Sequence, residues 1–284
     1  MSPITADNGT GIPSRWVRNV LSTELRYRDG QPNWPNALNQ AEAIVARSKA
    51  VRFLSKHAFV RPELHEIAER LKFCMPGDRC LSAACPECSR ALQRFFVFEC
   101  QKLLRPESSC VVSVIDSKMS NRLQLSKVSM RGLVNRTRSI LRESEVALAV
   151  GGIDLSFNED QIGRFESHWC AHLWFLLPSE KRQKWEGGLR DANPSNDEAP
   201  RPVKIQKWDG RSEALAYALK SEFKRRVTVN SKGRRNTSEQ DLRVAERIAI
   251  YQYLDSIGLH SRVFLLGARP TMTERGTAIV KLNL

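Results

Sequence analysis

Two stretches, "ALAVGGIDLSFNED" (147–160) and "FESHWCAHLWFLLP" (165–178), decide how the chain folds. In the first, Ile153, Leu155 and Phe157 alternate with Asp154, Ser156 and Asn158, the period-two pattern of a strand with unlike faces. The second is rich in aromatic and aliphatic residues and reads as another strand. If it runs straight, His168, Cys170, His172 and Trp174 share one face. Outward from this pair, "CVVSVID" (110–116), "VKIQKW" (203–208) and "HSRVFLLG" (260–267) read as shorter strands. Helical spacing covers 41–58, 62–73, 93–104, 126–144 and 212–226, and 179–190 with Ser179 as its cap. A last helix is capped by Ser238 with Asp241 and stopped by Gly258. Residues 1–40 read as irregular, with "DGQPNWPN" (29–36) a loop, and 229–240 as a basic flexible linker or an exposed hairpin. Helices alternating with strands predict a mixed α+β sheet domain.

The charge balance narrows the partner. Against 31 Asp+Glu stand 45 Lys+Arg, a formal net charge of +14 and a pI near 9.8. An excess of that size points to a polyanion, nucleic acid before an anionic membrane surface. No apolar run approaches the roughly 20 residues that span a bilayer, and no signal-type apolar core opens the chain, so a cytoplasmic protein without a membrane partner is expected. More than half of the excess lies between Arg201 and Arg235, where 11 Lys+Arg face Asp209, Glu213 and Glu222. The candidate phosphate-binding side chains there are Lys204, Lys207, Lys224, Arg225, Arg226, Arg234 and Arg235.

A cysteine cluster, Cys74, Cys80, Cys85 and Cys88, has the spacing C-x5-C-x4-C-x2-C. Four thiolates close a tetrahedral Zn²⁺ site, and Pro86 fixes the turn between the last two ligands. In a reducing compartment clustered cysteines indicate a metal rather than disulfides. This predicts a small structural zinc insertion on the N-terminal side of the sheet, with His57 and His65 as substitute ligands. Cys100 and Cys110 lie apart and read as core residues.

On the helix expected at 212–226, Leu215, Leu219 and Phe223 form an apolar stripe, and Tyr217 falls nearly opposite with Lys220 and Lys224. Lysine ammonium groups favour a phenolate and neutralise phosphate, so Tyr217 reads either as a nucleophile toward a phosphodiester or as a surface tyrosine that stacks a base.

Taken in order, these pieces resemble the rolling-circle replication initiators and related HUH endonucleases. The pieces are "RCLSAACPECSRAL", "VVSVID", "GGIDLSFNED", "CAHLWFLLP" and "ALAYALKSEFKRR". The match in order runs from about residue 74 to 226. The resemblance implies an α+β fold with a mainly antiparallel central sheet and flanking helices, divided into an N-terminal segment (1–60), a cysteine-rich zinc segment (61–105) and a nuclease-like domain (106–228). A basic linker with a C-terminal helix and strand (229–284) would complete it. It further implies that Tyr217, helped by Lys220, attacks DNA and stays joined to the 5′ phosphate. A Mg²⁺ or Mn²⁺ ion would be held by His172 and Asp154, with Cys170 or His168 completing the set. The partner would be single-stranded or hairpin origin DNA. No GxxxxGK[ST] phosphate loop is present, so unwinding would fall to a separate helicase.

One position departs from the pattern. Two residues after His172, where the family has its second histidine, stands Trp174, whose indole nitrogen only donates. His168 and His172 on a straight strand lie about 13 Å apart at roughly 3.3 Å per residue, too far to share an ion. Cys170 has the right i, i+2 spacing, but a thiolate suits a hard divalent ion poorly. The alternative is a zinc-containing nucleic-acid-binding protein of the same fold that has lost catalysis.

Overall fold

The computed structural model describes residue 17 and residues 38–116, 124–231, 234–273 and 276–282. The 29–36 loop lies outside them, as does nearly all of the segment before residue 40. The elements are α1 (Gln40–His57), α2 (Glu63–Lys72), α3 (Pro86–Cys100), β1 (Ser109–Ile115), α4 (Met130–Glu143), β2 (Ala149–Asp160), β3 (His168–Pro178) and α5 (Arg182–Ala192). After these come β4 (Val203–Lys207), α6 (Glu213–Ala218), β5 (Lys224–Ser231), β6 (Arg234–Asp241), α7 (Val244–Ile257), β7 (Val263–Leu266), β8 (Ala268–Thr273) and β9 (Gly276–Lys281).

The two long strands pair with each other at the centre of a sheet ordered β4-β1-β3-β2-β5-β6. The far edge of β2 is divided, β7 pairing its first four residues antiparallel and β5 its last four in parallel. Every other ladder is antiparallel, which gives the expected α+β architecture with helices against the sheet. The alternation of β2 does what its sequence requires. Ile153, Leu155 and Phe157 are buried in the core with Leu173, Phe175 and Trp169 of β3. Asp154, Ser156 and Asn158 take the other face, opposite His172, Cys170 and His168. Gly152 permits a close approach on that second face, since a Cβ there would stand 2.7 Å from Leu219 Cδ2 and 2.9 Å from the Arg262 carbonyl.

Three sequence expectations change, and one open alternative is decided. The helix of 212–226 ends at Ala218, because the chain turns to enter β5 and the carbonyls of Ala218 and Lys220 accept from the buried Arg262 guanidinium (3.4 and 2.8 Å). Free carbonyls at a helix end need such a donor. Ser179 does not cap α5, since its N–H and hydroxyl both donate to the Ser108 carbonyl and extend the β1–β3 edge. Ser238 and Asp241 do not cap α7. Both lie in β6, and Arg243 N–H donates instead to Glu246 Oε2 at 2.8 Å. Of the two readings of 229–240, linker or exposed hairpin, the structure has the hairpin, β5 pairing β6 from Lys224–Asp241 onward. Gly258 stops α7 in the left-handed region, φ 70°, as its sequence position suggests. The β8–β9 ribbon carried no recognised sequence signal, and Ile279 N–H ties it to Glu99 Oε2 on α3 (3.2 Å).

Candidate functional site

The cysteine cluster forms where α3 begins. Cys85 is the residue before its first turn, Pro86 occupies the first helical position, and Cys88 falls within that turn. Upstream, Met75 and Asp78 close a tight turn by exchanging both backbone hydrogen bonds (3.2 and 3.0 Å), which brings Cys74 and Cys80 together. The resulting Sγ separations are 3.5 Å for Cys74–Cys88, 3.6 Å for Cys80–Cys88 and 3.7 Å for Cys74–Cys85. Four sulfurs about 2.3 Å from a common Zn²⁺ lie about 3.8 Å apart along tetrahedral edges, whereas a disulfide needs about 2.05 Å. The cluster therefore has the dimensions of a four-thiolate metal site that could hold a structural ion such as zinc. His57 is not a ligand but packs on Phe53, ring centroids 4.6 Å apart.

The electrostatics fit the same use. Hydrogen bonds from Cys80, Cys85 and Cys88 hold the Cys74 thiol far below the ordinary thiol range, while contact with Cys74 first, and burial, push Cys85 and Cys88 up. A divalent ion shared by the four sulfurs would let all four ionise. Around them Glu87 is clamped by Arg47 (2.7 Å) and Arg79 (3.0 Å), and Arg47 also donates to the carbonyls of Leu71, Lys72 and Cys74. Cys100 and Cys110 are buried core residues, as expected.

The second constellation lies on the polar face of β2 and β3. Asp154 and His172 are direct cross-strand partners, each 1% exposed. From α6 and the turn beyond it, Lys220 Nζ reaches Asp154 Oδ2 at 3.2 Å and donates to Tyr217 Oη at 3.3 Å. Arg226 Nη2, from β5, donates to the same phenol oxygen at 3.3 Å. The Tyr217 ring stands edge-on to Trp174, centroids 5.1 Å apart. The structure thus brings together Tyr217, Lys220, Asp154 and His172. It does so from a six-residue helix and a turn, not from one long amphipathic helix. Lys224, expected beside Tyr217 on that helix, opens β5 and pairs Asp241 at 2.8 Å.

The expected ligand set for Mg²⁺ or Mn²⁺ does not assemble. Among the described residues, the only group of three or more His, Cys, Asp or Glu donors within reach of one ion is the cysteine cluster. His168 is turned to the Glu166 carbonyl (2.8 Å) and Asn158 (3.5 Å), two rungs from Asp154, and Cys170 Sγ lies 3.9 Å from the carbonyl of Ala171. His172 Nε2 lies 3.5 Å from Ser156 Oγ. The residues present do not fit the expected divalent site.

Burial pushes the Asp154 carboxyl up, against the pull of Lys220 and Arg262. For Lys220, burial acts downward but is outweighed by Asp154 and Tyr217, so its ammonium is held above the ordinary lysine range. Burial drives His172 well below 6.5, aided by the positive charges of Arg226, Lys220 and Lys204. A neutral buried His172 gives a pH prediction. The unfolded chain takes up a proton near pH 6.5 and the folded chain does not, so stability contributed by this group is present above 6.5 and lost as pH falls. The slope is at most about 1.4 kcal/mol per pH unit. Chemical denaturation between pH 7.5 and pH 5 is expected to show a shallower decline in His172→Gln than in wild type, as an order-of-magnitude test of that slope.

The basic residues named from sequence divide between the two faces of the sheet. Register puts Lys204 in the row Lys204–Ser113–Trp174–Gly152 and Arg226 opposite Asn158, both on the Tyr217 face. By the same alternation Lys207 and Arg225 take the opposite face, where Arg225 lies 3.5 Å from Glu159. Arg235 donates to the Asp197 carbonyl (3.1 Å), and Arg234 opens β6 with its side chain outside the described set. Two residues escaped sequence reading. Arg262 is buried beneath the site, and Gly152 gives Leu219 room to close over β2. No local pattern in "HSRVFLLG" distinguishes a buried guanidinium from a surface one.

No family model, curated protein or solved structure matches the chain. The functional reading therefore rests on the side chains themselves. Among the described residues, no helix is long and apolar enough to cross a membrane.

Proposed function

We propose that the chain is a DNA-binding protein of the replication-initiator type, which nicks single-stranded or hairpin DNA through Tyr217 and carries Zn²⁺ on Cys74, Cys80, Cys85 and Cys88. The observation that carries the reading is one phenol oxygen accepting from two cations, Lys220 and Arg226, beside a buried carboxylate. Such an arrangement stabilises a phenolate and also neutralises the two non-bridging oxygens of a phosphodiester. In the step, Tyr217 Oη forms a bond to phosphorus and the P–O3′ bond breaks. The electron pair leaves on O3′, which takes up a proton, while the phenol's proton passes to solvent. The products are a 5′-phosphotyrosyl adduct and a free 3′ hydroxyl, and the reverse attack closes the strand. Lys204, exposed on the same face, and Arg226 would hold the flanking phosphates. A separate helicase would supply unwinding.

Incubation with a 3′-labelled, randomised single-stranded DNA library is the test, with and without Mn²⁺. Wild type is expected to retain label through a denaturing gel, and Tyr217→Phe to lose it entirely while binding DNA with unchanged salt dependence. Trp174 at the second histidine position favours a second reading, a zinc-containing nucleic-acid binder without catalysis. DNA binding by wild type with no adduct under either condition would establish that reading and dismiss the first.

A further inference from the structure

The cation that resemblance would place beside Asp154 has a resident substitute. We infer that Lys220, fixed between Asp154 and Tyr217 and joined at the phenol by Arg226, takes the part of the divalent ion, so that strand transfer at Tyr217 needs no added metal. This deepens the nicking reading and rests on it.

Three observations lead there. First, Lys220 Nζ is bound on two sides, 3.2 Å from Asp154 Oδ2 and 3.3 Å from Tyr217 Oη, and it lies 4.3 Å from the centre of the tyrosine ring. Its side chain is only 7% exposed, so it is not a surface lysine that happens to reach inward. A buried carboxylate paired this way holds its cation in one place, where an isolated ammonium would drift to solvent. Second, the position that should donate the second imidazole is Trp174, whose indole nitrogen cannot bind a cation and whose ring packs edge-on against Tyr217. Asp154 Oδ1 and His172 are all that remains for an ion on this face, and no third His, Cys, Asp or Glu donor joins them among the described residues. Third, the surrounding charge is already positive. Arg226 touches the phenol from β5, and Lys204 sits one row away across β1 and β3. A divalent ion entering here would meet three side-chain cations against two carboxylates, Asp154 and the Glu239 that lies 3.7 Å from Arg226.

A fixed ammonium and a guanidinium can do for a phosphodiester what a bound ion does electrostatically, provided they are held before the phosphate arrives. Asp154 holds Lys220. Arg262, which donates to the Lys220 carbonyl at 2.8 Å, holds the turn that carries it.

The comparison uses zinc-loaded protein, its zinc content measured, in buffer stripped of other divalent ions by a chelating resin rather than by EDTA. With the 3′-labelled single-stranded library, adduct yield is expected to be the same with and without added Mn²⁺. Lys220→Met should slow adduct formation by about 100-fold or more in both conditions. Adduct from wild type only when Mn²⁺ is added overturns the inference and leaves Tyr217 as the nucleophile. No adduct under either condition overturns both. A binding measurement stands apart from activity and from any folding defect of the variant. Mn²⁺ titrated into wild type and followed by its electron paramagnetic resonance signal should show no site that Asp154→Asn removes, and such a site would sink the inference.

Discussion

Cys88→Ser is expected to strip the purified protein of zinc and to cost more stability than any other single change in the chain. The proposed ion would join Cys74 and Cys80, on either side of the turn closed by Met75 and Asp78, to Cys85 and Cys88 at the start of α3. That helix is almost wholly buried, and it is the beam on which the Tyr217 helix rests. Gln93 Nε2 donates to the Ala216 carbonyl at 2.6 Å, and Gln101 hydrogen-bonds Ser212. Loss of such an ion would leave thiols crowded where a metal would tie four side chains together. Because a site like this scarcely exists in the unfolded state, its binding free energy counts toward folding. Loss of a structural metal belongs with the few single changes that exceed about 4–5 kcal/mol. Elemental analysis should give one zinc per wild-type chain and none in Cys88→Ser, with a large fall in thermal midpoint. Cys100→Ser, altered at an equally buried thiol outside the cluster, should keep its zinc. A zinc-free wild type, or a variant melting with wild type, would defeat the assignment.

How much of this could be read from sequence depends on whether a feature is local. The strands β2 and β3 announced themselves because alternation is a property of neighbours in the chain, and burial of Ile153, Leu155 and Leu173 follows it. The cysteine cluster was legible for the same reason, since four potential ligands within fifteen residues need little from the rest of the fold. Tyr217 and Lys220 were legible as a pair, but the helix expected to carry them was not. Helical spacing through 226 is a genuine tendency of "SEALAYALKSEFKRR", overridden by the ladder that β5 gains along β2 and by the carbonyls that Arg262 captures. Tertiary pairing outweighs propensity differences of well under 1 kcal/mol per residue. The Lys220–Asp154 contact spans 66 positions, and the family resemblance pairs Asp154 with a metal ion instead. A one-dimensional pattern shows which residues could meet a charge, not which charge arrives first.

Arg262→Met is the second large effect, and it tests whether the site is held from beneath. Arg262 is 1% exposed and ends the 3₁₀ turn that leads into β7. Its Nε donates to the Ile153 carbonyl (3.2 Å), its Nη2 to the carbonyls of Ala218 and Lys220, and its guanidinium lies 5.2 Å from the Phe223 ring. Burial pushes its pKa down to about 10, partly offset by Asp154. One planar fork thus ties the central strand to the turn that presents Lys220. Methionine fills comparable volume but leaves those carbonyls without their donor and Asp154 with one fewer cation nearby. Truncating one partner of a buried charged network costs about 3–5 kcal/mol, so urea denaturation should show a loss in that range. Arg262→Lys restores charge without the two-pronged geometry, and only part of the loss should return. Adduct formation, measured where each variant remains folded, should fall further in Arg262→Met than in Lys204→Ala, which removes only an exposed cation. Full adduct yield from a folded Arg262→Met would mean that Lys220 is held by Asp154 alone and that the guanidinium serves the fold and not the site.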